Sequence, residues 1–174
     1  TVNNFVPGNI AADQTICENS AAAPLTSVTP SGDGAFTYKW YRSVGAAPFT
    51  VIAGATSETY SPGILAATTR YYREVTATLG GKSCIENTNI VTVTVDIFSP
   101  GSIAADQTIC ESGDPAALTS VAPTGAGTFT YKWYESLDGT VYTEIVGATL
   151  ATYDPPVLTQ DTWYKRAVIS TLNG

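Results

Sequence analysis

The sequence predicts an all-β chain built as two tandem copies of one sandwich domain, and three observations carry that prediction. The octapeptide IAADQTIC stands at residues 10–17 and again, unchanged, at residues 103–110. Short runs of β-branched and aromatic residues alternate with polar ones between turn signals, while helical periodicity is weak throughout. Each copy also carries a tryptophan in the same central run, FTYKW, at Trp40 and Trp133.

The repeat sets the organisation. Laid from Pro7 over Pro100, the copies match without a gap, with roughly 40 of about 75 positions identical at a period of about 93 residues. That period exceeds the roughly 20 to 50 residues of a solenoid repeat and suits a whole small domain with its own core. Residues 1–6 then read as the tail of a preceding copy, because Thr1 and Val2 fall on Thr94 and Val95. Repeat 1 spans 7–96, a linker 97–99, and repeat 2 spans 100–174, ending before the counterpart of the last strand.

Strands are predicted over 24–28, 36–43, 49–52, 59–61, 69–78 and 90–96 of the first copy. In the last, Val91, Val93 and Val95 alternate with Thr92 and Thr94, so one face is apolar and the other hydroxylic. In FTYKWYRS, Phe36, Tyr38 and Trp40 share one face and Thr37, Lys39 and Tyr41 the other, which makes Trp40 and Trp133 the core tryptophans. The second copy lacks a counterpart of 90–96; the following residues of a longer polypeptide are expected to fill that place, since an unpaired edge invites pairing with another chain.

Cys17 and Cys84 fall in one copy and can close a disulfide, placed near one end of the sandwich. It would stabilise by roughly 4 kcal/mol in the chain-entropy model and would imply an oxidising compartment. The partner of Cys110 would fall just past Gly174, so Cys110 reads as unpaired by truncation, the alternatives being an intermolecular bond or a reactive thiol.

Leu65, Thr69 and Tyr71 recur as Leu158, Thr162 and Tyr164. That spacing resembles the tyrosine corner of immunoglobulin-like and fibronectin type III sandwiches, in which a phenol tethers a turn by a backbone hydrogen bond. Arg73 and Arg166 share the inward parity of these tyrosines and need a carboxylate or an aromatic face; Asp13 with Asp106, or Trp40 with Trp133, are the repeated candidates.

Taken together, PGxIAADQTIC, YKWYxS, IxGAT followed by TYxP, LxxxTxY and the ending ENTNIVTVTV are similar to the immunoglobulin-like repeats of giant Bacteroidota surface proteins, the family described as CHU_C-associated Ig-like domains. The resemblance covers nearly the whole chain. It implies two tandem immunoglobulin-like β-sandwiches, the second truncated before its last strand, at the cell surface. The implied role is a spacer repeat of a long adhesin of the kind exported by type IX secretion in gliding motility, with neighbouring repeats of the same chain as partners.

Few chemistries are open to this composition. The chain has no histidine, which removes the common serine and cysteine charge relays and any imidazole metal site. No phosphate-cradling glycine motif opens a helix. Asp13 and Glu18, repeated as Asp106 and Glu111, are the only recurring acids, and they read as a turn cap and a solvated side chain rather than a glycosidase pair. An enzyme is not expected. A net charge of −7 with eight Lys and Arg disfavours nucleic acid and anionic membranes. No apolar run approaches the roughly 20 residues that span a bilayer. No cofactor is expected; interdomain calcium at Asp96 and Asp106 is the one metal option, outweighed by a plain linker in which Phe98, and Phe5 at the equivalent position, pack between neighbouring domains. Outward aromatics, Tyr41, Tyr134, Tyr72 and Trp163, leave a carbohydrate-binding module as the alternative function, with surface polysaccharide as its partner. Lys39 and Lys132 lie on the outward register, which disfavours an intramolecular isopeptide bond.

Overall fold

A computed structural model describes residues 4–172, so Thr1, Val2 and Gly174, on which the preceding-copy and chain-end readings rest, lie outside the described residues. The described chain is all β and divides into two compact units at Asp96 and Ile97. The first unit holds β1 (Gln14–Cys17), β2 (Ser20–Ala21), β3 (Ala35–Val44), β4 (Thr50–Val51), β5 (Ile64–Leu65), β6 (Thr69–Leu79), β7 (Lys82–Asn87) and β8 (Val91–Asp96). One sheet runs β1-β8-β6-β3-β4, with β7 also paired to β6. The second sheet is β2 against β5, continued by single bridges between Leu25 and Tyr60, Ile10 and Ser27, and Val6 and Ser31.

Each sheet faces the other because its inward positions are apolar. On β6 the residues alternate buried and half-buried along Thr69–Ala77, and on β8 the three valines are 1%, 0% and 7% exposed. Trp40 and Leu25, both fully buried, meet them from β3 and from the opposite sheet, with Ile10, Leu65 and Tyr71 closing the cluster. The Trp40 indole Nε1 donates to the Ser57 carbonyl at 2.8 Å, which satisfies its one polar atom. The early strand β1 pairs in parallel with the last, β8, whereas every other pairing is antiparallel. Two facing sheets closed in this way form an immunoglobulin-like sandwich.

The second unit repeats the plan with β9 (Ser102–Ile103), β10 (Ser120–Val121), β11 (Thr128–Ser136), β12 (Thr143–Glu144) and β13 (Trp163–Thr171). Its sheets are β12-β11-β13 and β10-β9. Trp133 sits opposite Arg166 as Trp40 sits opposite Arg73, and its indole donates to Leu150 O at 2.9 Å. The PG turn that opens each copy has a steric reason: Gly8 and Gly101 adopt φ of 71° and 68°, and a Cβ there would run into the carbonyls of Val28 and Val121.

The predicted strands 36–43, 69–78 and 90–96 form as β3, β6 and β8, and 49–52 shortens to β4. Segments 24–28 and 59–61 meet only through the Leu25–Tyr60 bridge, with the Leu25 amide donating to Tyr60 O at 2.7 Å. Strands β1, β2, β5 and β7 are additions. β7 is exposed at all six positions, so it carries no alternation to read.

Its presence overturns the disulfide. Cys84 pairs opposite Ala77 of β6, whereas Cys17 pairs opposite Asp96, on a strand that meets β6 at Thr69–Tyr71. At about 3.3 Å per residue the eight positions from Thr69 to Ala77 alone separate the two levels by more than about 25 Å. A disulfide needs Cα atoms within about 7 Å. Cys17 and Cys84 are therefore free and exposed, and so is Cys110, for which truncation of a bridge is no longer the explanation. All three thiols are expected to be alkylated by iodoacetamide without denaturant, and reductant should leave thermal unfolding unchanged; a mass shift short of three adducts contradicts this.

Candidate functional site

The repeated octapeptide is the first place to look for chemistry, and its polar atoms are committed to backbone. Gln14 clips Ala23 by donating Nε2–H to its carbonyl at 3.2 Å and accepting its N–H at 2.9 Å; Gln107 clips Ala116 in the same way at 2.8 and 2.8 Å. Asp13 Oδ1 accepts the Thr92 amide at 2.8 Å, across to β8, instead of capping its own turn. Ile10 enters the core, and its backbone N–H and C=O are both met by the Asn89 side chain, at 2.8 and 3.2 Å. Glu18 is exposed, and its amide donates to Asp96 O at 3.1 Å. The turn that follows is identical in backbone, with Asn19 and Ser112 at φ of 57° and 59°. In the first unit these bonds and the parallel β1–β8 ladder form one continuous seam from Ile10 to Glu18.

Arg73 is the second centre. It is fully buried, and its guanidinium donates to Ser27 Oγ and Glu58 O, both at 2.7 Å, and to Pro7 O at 2.9 Å. Ser27 in turn donates to Glu58 Oε1 at 2.8 Å. The expected partners are corrected: the ring under the guanidinium is Tyr38, 5.0 Å from its centroid, not Trp40, and Asp13 is engaged with Thr92. Desolvation pulls the Arg73 pKa below the usual arginine value, against the opposing pull of Tyr38 and Glu58. Arg166 repeats the arrangement with Ala151 O at 2.8 Å, Pro100 O at 2.9 Å and Val121 O at 3.4 Å, over Tyr131 at 5.3 Å. Because its partners are mostly carbonyls, the network survives the change of Glu58 to Ala151 between copies. It joins three segments of each unit; Arg73 is fully buried there, whereas Arg166 is half-buried.

Tyr71 takes a core place and Tyr164 a half-buried one, and neither makes the expected backbone tether. Tyr71 is 1% exposed, stacks obliquely on Tyr60 at 5.8 Å and meets the Thr69 side chain, with burial the main cause of its raised pKa. Tyr164 contacts Tyr153 at 5.7 Å, but its buried hydroxyl has no partner, and burial, then Tyr153 and Glu135, push its pKa up to about 12. Phe5 and Phe98 are also corrected. They stack on Phe36 and Phe129 of their own units, at 5.8 and 6.0 Å, rather than between domains.

Of the glycan candidates, Tyr41 lies flat on Tyr72, with centroids 4.7 Å apart and planes at 7°, and Phe49 meets Tyr72 edge-on. Arg70 covers Phe49, and the Tyr41 hydroxyl donates to Glu74, which also pairs with Lys39 at 3.3 Å. In the second unit Lys165 lies over both Tyr134 and Tyr142, at 5.1 and 4.3 Å. Trp163 stands where Arg70 stands in the first copy and is 44% exposed. It rests beside the Gly139 turn, where Asp138 accepts Ser136 Oγ and the amides of Thr140 and Val141, bonds that hold its carboxyl far below the usual carboxylate range. Repetition in both copies was the signal that could have revealed the Gln14 clip and Ser27. Asn89 had none, lying beyond the matched stretch.

Among the described residues, no three His, Cys, Asp or Glu side chains cluster to hold a metal ion. Among the same residues, no helix is long and apolar enough to cross a membrane. No curated protein matches the chain. Among solved structures, the three N-terminal domains of the Highly Immunogenic Outer Capsid protein (Hoc) of bacteriophage RB49 are similar at 16% identity and a TM-score of 0.47, over 98% of this chain and 64% of that one. This chain thus spans less than two thirds of that chain's length. The family described as Domain of unknown function (DUF8696) matches residues 6–97 and again 99–173, close to the boundaries of the two units, and the chain belongs to that family.

Proposed function

We propose that this chain is a load-bearing spacer of a long extracellular adhesin, in which these units carry tension between other parts of a cell-surface protein. The observation that carries the reading is the parallel pairing of β1 with β8. A pull on the two ends of the first unit drives parallel neighbours past each other, so their hydrogen bonds resist together instead of opening one by one. The Asp13–Thr92 and Asn89–Ile10 bonds lengthen the same seam. The polar groups of the octapeptide and the arginine centres are spent on holding segments together, which suits a strut better than a catalyst.

Stretching the chain from its ends tests this. The first unit should open in one event that releases about 30 nm, from about 90 residues at roughly 3.5 Å each, at a force lowered by the double substitution Asp13→Ala with Asn89→Ala. Equal forces for the parent and the double variant would reject the proposal, because forced unfolding reads the barrier those bonds supply.

A second reading, carbohydrate binding, is favoured only by Trp163, an exposed indole seated on a tight turn. If it holds, the chain should retain a glycan on an array and Trp163→Ala should abolish retention. An array on which the parent chain binds nothing would end it.

A further inference from the structure

Strand β7 takes no part in the seam that would carry load. It pairs with Glu74–Leu79 of β6 on one side, and among the described residues its other side meets no strand. All six of its residues are exposed, Ile85 at 59%. An open edge of this kind is a template for a further strand, and charged residues along it ordinarily block pairing. Here the charges have a symmetry that reverses their effect. Lys82 and Glu86 stand two residues to either side of Cys84, on the same face as its thiol.

The turn into β7 fixes which backbone groups face the open side. Gly80 and Gly81 hold φ of 56° and 75°, both positive as a type I′ hairpin requires. The closing pair, Leu79 and Lys82, is hydrogen-bonded across that turn, and bonded and non-bonded pairs alternate from there. Ser83 falls in a non-bonded pair with Thr78, and their hydroxyls meet at 3.1 Å, as the closer spacing of such pairs allows. Lys82, Cys84 and Glu86 therefore turn their amides and carbonyls to β6, while those of Ser83, Ile85 and Asn87 point outward.

We propose that β7 is a self-complementary edge through which two copies of this chain pair antiparallel, about a two-fold axis at Cys84. In that register Ser83 of each copy exchanges main-chain bonds with Ile85 of the other, and Lys82 faces Glu86 twice. Moving the axis to Ser83 or Ile85 keeps the bonding pattern but loses both ion pairs, so charge selects one register. Cys84 then faces its own symmetry mate in a non-bonded pair. Such a pair holds its Cα atoms about 4.5 Å apart, within the roughly 4.4 to 6.8 Å that a disulfide spans. Six residues a side bury well under the roughly 1,200 Å² of a stable interface. The pairing is therefore weak and concentration-dependent, and the thiol of a dilute chain stays open to alkylation.

The test uses the full chain with Cys17→Ser and Cys110→Ser, which leaves Cys84 as its thiol. With oxidised glutathione, two Cys84 thiols lose their protons and join in one disulfide while the glutathione disulfide is reduced to two thiols. A covalent dimer is expected. Lys82→Glu alone, or Glu86→Lys alone, sets like charges opposite each other and should slow its formation about tenfold, each rate being normalised to that variant's alkylation by iodoacetamide. Mixing the two variants restores both ion pairs, and the mixed dimer should form at about the parent rate. Both substitutions fall on an exposed strand, where the fold tolerates them. Without oxidant, raising the chain concentration should slow amide exchange at Ser83 and Ile85. The proposal is overturned if charge reversal leaves the normalised rate unchanged, if the mixture is no faster than the separate variants, or if the protection falls on other strands. None of these readouts depends on mechanical load or glycan, so failure here leaves the spacer reading untouched.

Discussion

Trp40→Ala is expected to destabilise the first unit by about 3–5 kcal/mol, the range for truncating a fully buried tryptophan. The indole touches Tyr60 at 5.5 Å, fills the space between the sheets beside Leu25 and Val93, and caps the Ser57 carbonyl. Alanine leaves a cavity that two sheets tied by hydrogen bonds cannot close, and it leaves that carbonyl without its donor. For a unit of this size the change lowers Tm by more than about 10 °C. Trp133→Ala should act on the second unit in the same way, since that indole is also fully buried and bonded to Leu150 O. Calorimetry of the two-unit chain reads both effects. A transition that shifts by less than about 3 °C in both variants would show that the cores are not centred on these rings.

Arg73→Met is the second large effect, about 3 kcal/mol, because it keeps an apolar stem of similar length and removes the guanidinium alone. The carbonyls of Pro7 and Glu58 and the Ser27 hydroxyl then lose their shared donor inside the protein. A buried acceptor left unpaired costs its full desolvation, which is why the loss exceeds the net value of ordinary hydrogen bonds. Arg73→Lys should recover only part, since a single ammonium cannot reproduce the planar fork that reaches both segments while lying over Tyr38. Chemical denaturation of the parent and the two variants tests this ordering. A methionine variant as stable as the parent would mean the network is dispensable and would also weaken the case for these units as struts.

The two-copy organisation and the buried tryptophans were legible because both are encoded locally: a repeat is visible in the letters, and alternation in FTYKWYRS and VTVTV maps directly onto the two faces of a strand. The inward arginine was legible for the same reason, by parity along β6. Its partners were not. Tyr38 is two residues from Trp40 on the same face, and although the register sets Trp40 directly opposite Arg73, the guanidinium reaches diagonally over Tyr38.

The disulfide failed through the same gap between sequence and space. Two cysteines in one copy met the arithmetic, but β7 and β8 occupy successive lengths of one edge of β6, which carries Cys84 and Cys17 to opposite ends. β7 shows no alternation because both its faces meet solvent, so nothing in its letters announces a strand. The sequence by itself determined that there are two β units, which tryptophans sit at their centres and which segments are the same in both. Tertiary structure alone decided what those shared segments grip and where the thiols stand, because pairing between distant strands depends on register and closure, and neither is written in any single stretch of chain.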